Sequence, residues 1–272
     1  MKISIGTLSK AFDLSDEALR YYEKRGLLHP QRVGGTGYRV FERADIQRIA
    51  NVQRLAKQGF TLDEIHAVYS GMEERELQTL YQQKVDRERR ELLYRQRVLL
   101  HMEKVQALLR DAPEQLLRPC EIKLEPFYVL EYPSIEEMWR RLPKEPLLKR
   151  LFHQLPLTAY TTLVSKDTLT GALVPSTKGV ILAQSDAEAL DVDFDAFRRI
   201  DASWAVGCLF KLENGEFDLP ALMRHMGEWM CAQGLHAADD AFTQQLLSYT
   251  DVCGTAIHYS RMIVPLNPEE GK

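Results

Sequence analysis

No apolar run in this chain approaches the ~18 residues that a membrane-crossing helix needs. The opening stretch, Met1-Lys2-Ile3-Ser4-Ile5-Gly6, has neither a long apolar core nor a small-residue cleavage site. A signal peptide and a membrane partner are therefore not expected, and the default is a soluble cytoplasmic protein. Cysteine is sparse: Cys120, Cys208, Cys231 and Cys253 stand more than twenty residues apart. With no CxxC pair, a zinc site or redox couple is poorly supported, and scattered thiols in a reduced compartment are the plain reading. GxSxG, HExxH, GxGxxG and P-loop strings are missing. The histidines (His29, His66, His101, His153, His225, His236 and His258) show no i,i+4 pairing. No enzyme activity, cofactor or bound metal is expected.

What is present divides into three stretches. The chain has 272 residues, and at roughly 100–200 residues per domain this favours two domains. Hydrophobic residues make up 45% and charged residues 27%, enough to bury cores and to exclude a disordered chain. The net charge of −4 hides an asymmetry. Residues 1–72 carry eleven Lys/Arg against eight Asp/Glu, residues 73–112 nine against eight, and residues 113–272 fifteen against twenty-three. A basic head on an acidic tail suits a nucleic-acid-reading module joined to a module of another kind.

Residues 1–72 read as short helices with punctuated turns. Ile5, Leu8 and Phe12 recur at helical spacing, and Ser15 is placed to cap a second helix, Asp16 to Arg25, stopped by Gly26. Two helices about three residues apart form a helix-turn-helix pattern. From Arg32 to Phe41, the glycines Gly34, Gly35 and Gly37 between β-formers predict a hairpin, hence a wing. A third helix is expected over Arg43–Gln58, ended by Gly59, and Thr61-Leu62-Asp63-Glu64 is a capping box for a fourth.

Residues 73–112 contain no glycine and no proline and are dense in Glu, Arg, Gln and Leu, which are strong helix formers. Val85, Leu92, Leu99 and Gln106 repeat every seven residues, with Glu88, Arg95, Met102 and Leu109 at the second heptad position. A helix of about forty residues wants a partner, and a dimerisation coiled coil over 73–113 supplies one. The charged Glu88 and Arg95 spoil the seam, so a long helix packed on its own chain stays open. Ala112-Pro113 is expected to end it, followed by a linker over 114–120.

From residue 121 to 272 the pattern is mixed α and β. Ile122–Leu124 and Phe127–Leu130 read as one strand broken at Pro126. Ser134-Ile135-Glu136-Glu137 reads as a capping box opening a helix with Met138 and Trp139. Strands are expected over 159–165, 179–183, 204–212 and 255–266. A helix is expected over 218–233, ended by Gly234, and a weaker helix near 240–247.

The string Ala18-Leu19-Arg20-Tyr21-Tyr22-Glu23-Lys24-Arg25-Gly26-Leu27-Leu28 closely resembles the MerR family of transcription regulators. Ile5–Lys10, the wing with Gly37-Tyr38-Arg39, and Lys57-Gln58-Gly59-Phe60-Thr61-Leu62-Asp63-Glu64-Ile65 match it in order and distance. The resemblance covers residues 1–72 by motif and extends to the long helix by position and length. It implies a homodimer, joined by an antiparallel coiled coil, on a pseudo-palindromic promoter element with an overlong spacer. It also implies a ligand-driven distortion of that DNA that aligns the promoter for RNA polymerase. The residues agree. Small Ala18 lets the second helix sit deep in the major groove. Arg20, Arg32, Arg39 and Lys57 can reach phosphates or bases, and Tyr21 and Tyr38 offer a hydroxyl and a flat ring. Tyr22 and Leu19 are assigned to core, and Lys24, Arg43 and Arg48 to ordinary surface.

The C-terminal stretch resembles the GyrI-like effector-binding domain of multidrug-sensing members. That implies a sheet cradle lined with aromatics, in which a buried carboxylate pairs with lipophilic cations. Aligned on Val264-Pro265-Leu266, however, Arg261 stands where such members often carry Glu. Either another carboxylate, Glu131 or Glu125, substitutes for it, or the ligand is neutral or anionic with Arg261 as its counter-ion. Trp139, Tyr160, Trp204, Phe210, Tyr249 and Tyr259 are the aromatic candidates, and each is equally readable as core. The whole is expected to be α+β: a winged helix-turn-helix, a dimerisation helix and an effector domain. The alternatives are a constitutive repressor whose C-terminal domain binds a protein, and a metal or redox sensor of the same family.

Overall fold

The computed structural model describes residues 3–33, 37–172, 175–190 and 194–267. Two compact units divide the chain, Met1–Arg89 and Arg90–Lys272.

The first unit opens with β1 (Ile3–Ser4), α1 (Ile5–Phe12) and α2 (Asp16–Lys24). The wing strands β2 (Gln31–Val33) and β3 (Tyr38–Phe41) follow, then α3 (Arg43–Lys57), α4 (Leu62–Tyr69) and the start of α5 (Glu74–Gln115). Local chemistry sets the helix starts. Ser4 accepts a hydrogen bond from the Thr7 amide and Ser15 accepts one from the Ala18 amide. At α4 both halves of the box form: the Thr61 amide donates to Glu64 (2.7 Å) and the Glu64 amide to the Thr61 hydroxyl (3.3 Å). β2 and β1 flank β3 in an antiparallel sheet that pairs Arg32 with Arg39. The expected tip residues Gly34, Gly35 and Thr36 lie outside the described residues, while Gly37 sits at φ +66°, open to glycine at no steric cost. One apolar cluster joins Leu8, Leu19, Leu28, Phe41 and Ile49, and another joins Leu27, Val52, Leu55, Phe60 and Ile65. Tyr22 packs against both. Lys84, on the first turns of α5, bonds both Glu64 oxygens (2.8 and 2.7 Å).

The second unit holds the rest of α5, β4 (Cys120–Lys123), β5 (Phe127–Tyr132), α6 (Ile135–Arg141) and α7 (Pro146–Phe152). Next come β6 (Thr158–Val164), a 3-10 turn (Lys166–Thr170), β7 (Thr177–Ala183) and α8 (Gln184–Leu190). The chain then runs through β8 (Arg198–Ile200), β9 (Trp204–Glu213), α9 (Leu219–Gln233), β10 (Ala241–Thr250) and β11 (Ala256–Pro265). The eight strands make one antiparallel sheet in the order β4-β9-β11-β10-β6-β7-β5-β8. Period-two alternation divides its faces. Val206, Cys208, Phe210, Met262 and Val264 pack against α9, whereas Ala205 and Ile263 join Phe127, Val129, Ile181 and Phe242. Burial pushes the Cys208 thiol up to about 12, so it stays a neutral packing group. α9 comes close to the 3-10 turn at Gly227, where a Cβ would stand 2.3 Å from the Leu169 carbonyl oxygen.

Four local expectations are corrected. The weaker helix expected near 240–247 is a strand over 241–250, because pairing with β11 and β6 overrides local preference. The stretch around Pro126 is two strands seated far apart in the sheet, not one broken strand. α5 runs through Pro113 to Gln115, because a proline near the helix end forfeits a single hydrogen bond, and the Leu116 amide still reaches the Ala112 carbonyl (3.0 Å). Only half a capping box forms at Ser134. Its hydroxyl takes the Glu137 amide, but the Glu137 carboxylate is engaged by Arg140 and Arg141.

Candidate DNA-reading face and effector cavity

Helix α2 turns Leu19 fully inward and half-buries Tyr22, which leaves Arg20, Tyr21 and Lys24 outside. Arg20 and Lys57 make no hydrogen bond or ion pair among the described residues. Tyr21 and Tyr38 are large apolar groups left 46% and 57% exposed. Ala18 is half-buried beside Leu19.

Glu23 ties this helix to the wing. Its carboxylate accepts from Arg39 Nε at 2.6 Å on β3 and from Arg32 Nη2 at 3.3 Å on β2. Partial burial pushes this carboxyl up, but the hydrogen bonds and charges of Arg39 and Arg32 outweigh that and hold it below its ordinary value. Two guanidiniums on one carboxylate leave an excess positive charge on the hairpin. The structure therefore brings Arg32 and Arg39 together on Glu23 of α2, the helix that also carries Arg20 and Tyr21, and it gives Arg39 a partner that sequence reasoning missed. Glu23 lies within the diagnostic string, yet nothing local says that its partners are on the hairpin. Arg48, expected as plain surface, lies over the Tyr69 ring at 4.3 Å.

In the second unit, a cavity of about 840 Å³ lies between α5 residues 101–115 and strands β6, β7, β10 and β11. A volume of this size suits a drug-sized ligand. Apolar lining comes from Met102, Leu108, Leu157, Ile181 and Leu246, and polar lining from His101, Thr158, Gln244, Gln245 and Arg261. A register shift between Gln245 and Leu247 lets residues 244–248 line it consecutively, where a regular strand would present every second one. Of the aromatic and charged candidates, Tyr160 and Arg261 line the cavity. Burial raises the Tyr160 phenol, so its hydroxyl stays a donor. Desolvation lowers Arg261 from its ordinary value, with a small opposing effect of Cys120.

The other candidates sit elsewhere. Glu131 is bonded to Arg198 (3.2 Å) and Thr177 (3.3 Å), and Arg198 also bonds Asp239 and Asp240. Glu125 accepts from the Ser185 amide (2.9 Å). Trp139 is 46% exposed, in an aromatic group with Phe152 and Tyr160. Phe210 is buried under α9 against Phe217, and Trp204 packs at the edge of that cluster with Lys123 over its ring. Tyr249 is exposed, and Tyr259 packs beside Leu108 and Leu209. Sequence reasoning did not find the cluster behind the cavity. There Arg97 Nε (2.6 Å) and His101 Nε2 (2.9 Å) both bond Asp186, whose side chain is 3% exposed. Burial raises this carboxyl, but hydrogen bonds from His101 and then Arg97 outweigh it and hold it low. Among the described residues, no group of His, Cys, Asp and Glu is arranged to hold a metal ion, and no helix is long and apolar enough to cross a membrane.

A core of short helices with a two-stranded wing, carrying the unpaired Arg20 and exposed Tyr21 on the second helix and exposed Tyr38 on the wing, defines a winged helix-turn-helix DNA-binding unit. Residues 3–71 match the MerR HTH family regulatory protein model. The HTH-type transcriptional regulator HmrR of Rhizobium leguminosarum bv. viciae is 32% identical over 37% of this chain and 83% of its own length. An HTH-type transcriptional regulator of Pseudomonas aeruginosa is 31% identical over 44% and 86%. The chain belongs to the MerR family of DNA-binding transcription regulators. Among solved structures, the EcmrR–DNA complex in EcmrR-RPo covers 98% of this chain and 100% of its own, at 16% identity and a TM-score of 0.36.

Proposed function

We propose that this regulator is ligand-responsive: a homodimer grips promoter DNA through α2 and the wing, and a small lipophilic effector in the second unit changes how it distorts that DNA. The reading divides the chain into a DNA-binding domain (1–72), a dimerisation helix (73–113), a linker (114–120) and an effector-binding domain (121–272). The observation that carries it is the Glu23 bridge, which ties α2 to both wing strands while Arg20 makes no bond and Tyr21 stays exposed. Phosphate contacts hold the duplex, and bending or untwisting stores the energy that aligns it for RNA polymerase. The first heptad position supports the dimer. Val85, Leu92 and Leu99 remain 40–60% exposed along α5, an apolar stripe suited to a second helix.

The cavity of about 840 Å³ favours a small-molecule effector over a C-terminal domain that only docks a protein. Selection of bound duplexes from a random library by the full chain tests the reading. The expected product is a two-fold symmetric element held by one dimer. Asymmetric or sequence-independent recovery would contradict it.

A further inference from the structure

We infer that the effector is an amphipathic organic anion, a carboxylate or similar monoanion on a flat apolar body, with Arg261 as its counter-ion. This rests on the effector reading above and adds its charge. Arg261 is set in β11 between Leu209 of β9 and Gln244 of β10. It lines the cavity and has no ion pair or hydrogen bond among the described residues. Its stem is packed over Gly207, where a Cβ would come within 3.3 Å of Arg261 Cδ and 2.8 Å of Ile122 Cδ1. The glycine thus makes room for the arginine.

A guanidinium withdrawn from water without a carboxylate costs free energy that an incoming anion returns. The other charges on the lining do not supply that anion. Asp111 is already paired with Arg110 (2.7 Å), His101 is turned to Asp186, and Lys104 adds a second exposed cation. The carboxylates that would attract a cationic ligand are spent elsewhere, Glu131 on Arg198 and Glu125 on the Ser185 amide. The Tyr160 hydroxyl and the Gln244 and Gln245 amides add neutral donors to the same lining. The apolar walls accept the body of the ligand, and Arg261, the uncompensated cation set within the sheet, fixes its sign, with exposed Lys104 adding charge of the same sign.

Three probes of one shape test this on the full chain by calorimetry: pyrene-1-butyrate, its primary amide, and the matching trimethylammonium derivative. Pyrenebutyrate is expected to bind about tenfold or more tighter than the other two. Arg261→Gln should erase that margin and Arg261→Lys should keep part of it, with melting curves confirming that both variants fold. A preference for the ammonium, or a carboxylate preference untouched by Arg261→Gln, overturns the anion assignment while leaving the cavity as an effector site. Equal binding of all three by the unaltered chain overturns it as well, with no variant needed. If none of the three binds, the effector reading falls together with it.

Discussion

Asp186 is a carboxylate almost sealed from water, and it is ionised there because two side chains one turn apart on α5, Arg97 and His101, hold it. Removing one member of such a buried group leaves the others uncompensated, at a cost of about 3–5 kcal/mol. Asp186→Asn is expected to destabilise the chain by an amount in that range, seen as a lowered thermal midpoint. The folded carboxyl is held low, so its stabilisation is fully present above the unfolded value of about 3.9 and is lost as pH falls through the folded one. Melting curves at decreasing acidic pH should therefore show a loss in the unaltered chain that is smaller in Asp186→Asn; parallel losses would refute the assignment. None of this was legible beforehand. Arg97 and Asp186 are 89 residues apart, and His101 reads as a lone histidine. Tyr22, by contrast, was legible as core because its neighbours fix the helix face.

At the scale of elements, short-range chemistry was read well. Ser15, Thr61, Gly26, Gly59 and Gly234 mark helix ends in the sequence and do so in the fold. What failed was what depends on distant partners: β10 is a strand because β11 and β6 flank it, and β4 separates from β5 because β9 claims it. The aromatic candidates scattered for the same reason. Alternation alone does not say which sheet face a helix covers, so Phe210 went under α9 while Tyr160 met the cavity. The stripe on α5 carries its own prediction. Leu92→Glu with Leu99→Glu places like charges on exposed seam positions, and sedimentation should show a monomer with unchanged helix content. A dimer that survives both changes would return the helix to the alternative of packing within its own chain.

For the whole molecule, DNA reading and the proposed ligand binding become regulation only if they are coupled. An effector shifts the dimer between arrangements by its difference in affinity for the two and no more. Coupling is also reciprocal. The selected duplex is expected to change the affinity for pyrenebutyrate by the factor with which pyrenebutyrate changes affinity for the duplex, typically about 5-fold or more. Identical probe affinity with and without duplex would leave two independent functions on one chain.

The central claim, that α2 and the wing make one gripping face, is met most directly by titrating the selected duplex with the unaltered chain and with the Arg20→Ala, Tyr21→Ala double variant. The account predicts a loss of about 1–3 kcal/mol for each residue that reads a base, with folding intact. Unchanged affinity in the double variant would contradict it.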